Sequence, residues 1–222
     1  MKNKPFRIAM LATLVIFAVI SAFVIFNQKD QDVISTSDEF PPIEGQPTMG
    51  NSESVVQVVE FGDFKCPSCK AWGESIYPQL IKDYVETDKI SFSYINVLFH
   101  GKESELASLA AESVYKMDPS SYWDFQKRLY EEQPTQNHDG KWVTIEKLLE
   151  VAAETTEVDL EELETELNER TMQEEVDLDA ELVREFDVQF TPSIMVNGTM
   201  LEDPFDYDAI KSLIDEGLED NQ

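Results

Sequence analysis

The chain is poor in cysteine and in positive charge, and both shortages narrow what it can do. Cys66 and Cys69 are the only cysteines in 222 residues. A structural zinc site built on cysteine pairs needs a second pair, and only His100 and His138 could stand in for it. Lys and Arg number 17 against 45 Asp and Glu, for a formal net charge of −28. Such a surface repels phosphate, so the composition excludes charge-driven nucleic-acid binding and peripheral docking on anionic lipid. The few cations are unevenly spread. Lys2, Lys4, Arg7 and Lys29 precede the first acid, Asp30, so the chain from Asp30 onward holds 13 positive and 45 negative residues, a net −32. That acidity reads as a solvated shell suited to saline or alkaline surroundings, with a cation-binding or partner-selective surface as the alternative. The acidic run from Glu157 to Glu181 lacks the Gly-centred spacing of a calcium loop, which leaves only a calcium site of some other design. The residues suggest no other metal or cofactor.

What is present begins with a charge-free run of 19 residues, Ile8 to Phe26, after a basic start. As a helix it would span about 28 Å, close to the hydrocarbon thickness of a bilayer. Cations before it and acids after it place residues 1–7 in the cytoplasm, 8–26 in the membrane as an uncleaved signal anchor, and the rest outside the cell membrane. A cleaved signal peptide is the alternative, although its apolar core is usually shorter and ends in small residues, whereas here Phe23-Val24-Ile25-Phe26 follows Ala22. Residues 27–54 are polar and carry Pro41, Pro42 and Pro47, which predicts an extracellular linker.

The informative stretch runs from Val55 to Cys69. Val55 to Phe61 is a nearly continuous apolar strand pattern, and a short turn leads into Cys66-Pro67-Ser68-Cys69. Two thiols three positions apart at a helix start can close a small disulfide ring. Unpaired N–H groups and the positive end of the helix dipole favour thiolate there, lowering a cysteine pKa from about 8.5 to roughly 3.5–7.5. Pro67 suits the first helical turn, where a missing N–H costs nothing. Glu60, at the end of the strand, either sits half-buried below the cysteines or points to water. A purely structural disulfide is the competing reading, but a four-residue loop constrains an unfolded chain very little. An oxidising exterior fits a thiol–disulfide redox centre.

Downstream, a helix is predicted from Cys66 to about Glu86, kinked at Pro78, with Trp72, Ile76, Leu80 and Tyr84 on one face. A second strand over Ile90–Leu98 completes a parallel βαβ unit. His100 reads as structural rather than catalytic. Helical patterns fill Glu103 to Asp187. Phe190-Thr191-Pro192 then opens a strand, and Asn197-Gly198 between apolar runs signals a type I′ hairpin, which discounts the glycosylation sequon there. A last helix covers Asp206 to about Leu218.

These segments resemble the DsbA-like branch of the thioredoxin superfamily. The carrying motifs are Val59 to Cys69, Asn96-Val97-Leu98-Phe99-His100-Gly101-Lys102, Tyr122-Trp123-Asp124-Phe125 and Phe190-Thr191-Pro192. The anchor and the Cys-Pro-Ser-Cys are similar to the membrane-anchored BdbD type of Gram-positive bacteria. The resemblance implies an α/β thioredoxin-like domain, residues 55–101 and 188–218, interrupted by a helical insertion, residues 102–187. It implies a monomeric dithiol oxidase acting on unfolded secreted proteins with reduced cysteines, its redox disulfide Cys66–Cys69 regenerated by a quinone-linked membrane oxidoreductase of the DsbB/BdbC type. Cys66 becomes the exposed attacking sulfur and Cys69 the buried resolving one. Thr191 and cis-Pro192 line the substrate site, while Glu60, Pro67 and Ser68 tune the redox pair. Ser68 stands where the family commonly has His, which removes one donor to the thiolate. A disulfide isomerase or reductase on the same fold, and an anchored binding module or holdase, are the alternatives.

Overall fold

Alternation along one central strand decides the layers. A computed structural model describes residues 33–36, 40–137 and 140–220. The predicted anchor, residues 8–26, and the tail before it lie outside them. In β3 (Gln57–Gly62), Val58 faces one side of the sheet, and Val59 and Phe61 face the other. Successive strand residues point to opposite faces, so each set needs its own cover. Val58 packs with Phe92, Ile194 and Val196 under Trp72, Ile210 and Ile214, which belong to α1 (Pro67–Ser75) and α8 (Tyr207–Glu219). Val59 and Phe61 pack with Ile95 and Met195 under Val183 and Phe186 at the end of α7 (Gln173–Glu185).

The sheet has six strands in the order β1-β6-β5-β3-β4-β2. They are β1 (Val33–Thr36), β2 (Thr48–Gly50), β4 (Ser91–Asn96), β5 (Ser193–Val196) and β6 (Thr199–Leu201) with β3. β3 and β4 run parallel, as the strand–helix–strand reading requires, and the other pairings are antiparallel. Asn197 and Gly198, with φ of 46° and 77°, turn β5 into β6. Both central residues of a type I′ turn need positive φ, which explains the Asn-Gly pair.

Two expectations need correction. Residues 27–54 are not simply a linker: β1 pairs with β6, and β2 closes the outer edge of β4. Edge pairing uses backbone groups, so it leaves no apolar period in a short polar segment. The Tyr94 N–H also donates to Pro47 O at 3.0 Å. The long first helix is divided as well. α1 stops at Ser75, and α2 (Tyr77–Leu80) restarts with Pro78 in its first turn and continues as a π-helical turn over Ile81–Val85. A proline in helical register cannot donate to the preceding turn, so the break falls just before it.

Between the strands lie α3 (Lys102–Met117), α4 (Tyr122–Glu131), α5 (Ile145–Thr155), α6 (Leu160–Glu169) and α7. The first four share a core of Ala110, Val114, Phe125, Leu129, Leu148 and Leu163, which also takes in Phe64, Cys69 and Tyr94. The insertion therefore packs directly against the cysteine turn.

Candidate active site

The strand β3 ends at Gly62 and the chain turns through Asp63-Phe64-Lys65 before α1 begins. Gly62 is needed there, because a Cβ would lie 2.4 Å from the Tyr94 ring. Cys66 caps α1 in extended conformation with Pro67 next, and no side chain caps the helix. Its sulfur is thus free to take the unpaired N–H groups of the first turn.

Both cysteines are free thiols and inequivalent. The Cys66 thiol is lowered to about 5. The Cys69 thiol beside it contributes most; the Thr191 side chain and the backbone N–H groups of Cys69 and Ser68 add to it, and burial works against them. Cys69 is driven the other way, well above an ordinary thiol, by burial and by the charge of Cys66 and Glu60. The Asp63 N–H reaches Cys69 Sγ at 3.4 Å. The expectation of an exposed Cys66 is corrected: the residue keeps only 7% of its surface. The reason is tertiary, since Thr191 closes over it, its carbonyl oxygen 3.3 Å from Cys66 Sγ across 125 residues of chain. The Thr191–Pro192 peptide is cis.

Among the remaining candidates, Pro67 and Ser68 are exposed at the helix start, and Ser68 acts on Cys66 through its backbone N–H. Glu60 is buried, not turned to water, and its Oε1 has no hydrogen-bond partner among the described residues. Burial, and then the charge of Cys66, raises its carboxyl well above the usual range. It borders a cavity of about 510 Å³ walled by Tyr77, Trp123 and Tyr130.

The single-sequence reading missed the ring of residues that hold the turn. Asp63 is fully buried, and its carboxylate accepts from the Lys65 N–H, the His100 N–H and the Ser104 hydroxyl, with His100 Nδ1 at 2.8 Å. His100 is accordingly structural. Lys65 pairs with Glu103, which also accepts the N–H groups of Trp142 and Val143. Gln133 donates to two carbonyls of the turn. The only signal for them was an acid three residues before the cysteine motif and a histidine after the second strand. Among the described residues, no group of three or more His, Cys, Asp and Glu is gathered to hold a metal.

Comparison with known proteins agrees with this geometry. A family model described as Thioredoxin matches residues 43–216. Disulfide bond formation protein D of Bacillus subtilis is 41% identical over 192 residues, 86% of this chain and 85% of that protein. The probable disulfide bond formation protein D of Bacillus cereus is 34% identical over 209 residues, 94% and 93% of the two chains. The crystal structure of oxidised BdbD from Bacillus subtilis superposes with a TM-score of 0.79 over 85% of this chain and 100% of that one. Chlamydia trachomatis DsbA, 21% identical with a TM-score of 0.72 over 85% and 97%, shares the fold. With a low-pKa thiol at a helix N-terminus, a buried partner thiol and a cis-proline loop against them, the chain belongs to the thioredoxin superfamily as a DsbA-like thiol–disulfide oxidoreductase of the BdbD type.

Proposed function

We propose that this enzyme acts outside the cytoplasm as a dithiol oxidase, held to the membrane by residues 8–26, and inserts disulfides into unfolded secreted proteins. The observation that carries the direction of the reaction is the split between the two thiols, Cys66 lowered to about 5 and Cys69 raised. A thiolate on the substrate attacks Cys66 Sγ, the Cys66–Cys69 bond breaks, and Cys69 leaves as a thiolate that takes up a proton. Glu60, whose carboxyl burial raises and whose ionised form disfavours a thiolate at Cys69, is the proposed donor of that proton. A second substrate thiolate then attacks the substrate sulfur of the mixed disulfide and expels Cys66 as a thiolate. Two electrons have passed to the enzyme. A stabilised leaving thiolate favours the reduced enzyme, which makes the oxidised form a strong oxidant.

Thr191 and Pro192 offer the adjoining backbone to an extended substrate segment, as exposed strand-like edges do elsewhere. A quinone-linked partner of the DsbB/BdbC type returns the enzyme to its disulfide form. The anchor reading rests on the charge-free run and its flanks; no helix of the described residues is long and apolar enough to cross a membrane.

The test is a redox titration of the segment from Asp30 onward against glutathione. A potential near about −120 mV supports the oxidase, while one near about −270 mV assigns a reductase instead. In the same preparation, with oxidised glutathione as the oxidant, Cys69→Ala is expected to accumulate mixed disulfides with substrate thiols through Cys66, and Cys66→Ala to accumulate none. Absence of adducts in Cys69→Ala under oxidising conditions contradicts the exchange steps.

A further inference from the structure

The turn from Asp63 to Cys66 is gripped residue by residue, mostly from the helical insertion. His100 and Ser104 hold Asp63, the Tyr130 ring packs 5.3 Å from that of Phe64, and Glu103 holds Lys65. Gln133, just after α4, is the one that reaches the cysteine itself. Its side chain is 4% exposed, and its single Nε2 donates to Phe64 O at 2.7 Å and to Cys66 O at 3.1 Å. Both N–H bonds of the amide are thereby directed at the two carbonyls that bracket Lys65. Cys66 O already accepts the first helical bond of α1 from Lys70 N at 3.3 Å. Gln133 is thus the second donor on the carbonyl that starts the helix, and it fixes the Cys66 backbone at φ −76°, ψ 120°.

That backbone setting decides where the sulfur lies relative to the Ser68 and Cys69 N–H groups that stabilise the thiolate. A buried amide aimed at this peptide also turns its positive end toward the sulfur's residue. We infer that Gln133 is a positioning residue for the reactive thiolate, through which the insertion sets the oxidising strength of the cysteine pair. The inference rests on the reading of Cys66 as the redox-active thiol. Without Gln133 two buried carbonyls lose a donor, the turn relaxes, and the Cys66 sulfur loses register with the helix N-terminus.

The test compares wild type, Gln133→Met, which keeps length but has no donor, and Gln133→Asn, whose amide stops short of the two carbonyls. Three quantities are read on each: the Cys66 pKa from ultraviolet thiolate absorbance, the equilibrium constant with glutathione, and the Tm. The Met variant is expected to raise the Cys66 pKa by about one unit and to shift the equilibrium with glutathione about tenfold toward the enzyme disulfide, making it the weaker oxidant. The Asn variant is expected to shift both in the same direction by a smaller factor, and it serves alone if the Met variant does not fold. A lower Tm with pKa and equilibrium constant unchanged assigns Gln133 to structure only and overturns the inference. A wild-type Cys66 that titrates as an ordinary thiol overturns the redox reading itself, and this inference with it.

Discussion

At the scale of single residues, the chemistry is carried by how differently two identical side chains are treated. Cys66 is depressed in the folded, reduced protein and ordinary in the unfolded chain, so it contributes stability above its unfolded pKa that is lost as pH falls through about 5. In the oxidised protein that group does not titrate. The Tm of the reduced form is therefore expected to exceed that of the oxidised form increasingly as pH rises from about 5 to about 9, and paired thermal melts check this. An opposite trend would mean that the thiolate is not stabilised by folding. Ser68 offers a second check. Because its effect on Cys66 comes through a backbone N–H, Ser68→Ala is expected to move the Cys66 pKa by less than about half a unit, or under about 0.7 kcal/mol. A larger rise in an absorbance titration would assign the hydroxyl a role that the geometry does not give it.

At the scale of elements, a buried polar cluster joins the insertion to the sheet. Asp179 on α7 accepts from Gln46 Nε2 at 2.6 Å, from the Asn96 N–H at 3.0 Å and from Asn96 Nδ2 at 2.7 Å, and Asn96 Nδ2 also donates to Glu112 on α3 at 2.7 Å. Burial pushes both carboxyls up, and the charge of Asp179 adds to the rise of Glu112. A raised carboxyl contributes stability that is present below its unfolded pKa and lost as pH climbs through the folded value. In the oxidised protein, where Cys66 is silent, the Tm is expected to fall by several degrees from about pH 5 to about pH 9. Asp179→Asn keeps an acceptor and removes one charge, so it is expected to flatten that slope by about half; buried Glu60, shifted in the same direction, supplies part of the rest. An unchanged slope in thermal melts would place the alkaline loss elsewhere.

At the scale of the whole molecule, the polar segment before Val55 belongs to the fold. Removing residues 1–50 strips β2 from β4, takes Gln46 away from Asp179 and leaves a sheet edge open. Losing buried hydrogen bonds of that kind costs about 2–3 kcal/mol, which at this size corresponds to a Tm drop of about 5–10 °C. Melting a chain that starts at Asn51 against one that starts at Asp30 measures it. Equal Tm values would restore the segment to a mere tether. Composition had hidden this, because Pro41 and Pro47 are buried in a proline-bearing polar segment, and a three-residue edge strand holds by backbone pairing.

Much of the architecture was legible because it is written in local periods: β-branched β3, the apolar face of α1, the Asn-Gly turn and the Cys-Pro-Ser-Cys at a helix start each follow from neighbours in the chain. The insertion was legible as helices, but not as a grip on the turn, since Gln133, Glu103 and Ser104, with His100 just before it, look like ordinary polar residues until folding brings them to residues 63–66. The amino-acid order alone determined which two sulfurs could react and which helix end would favour a thiolate. Only the tertiary structure decided how far each thiol is shifted, because that depends on burial and on donors arriving from as far away as Thr191, whose approach no local pattern encodes.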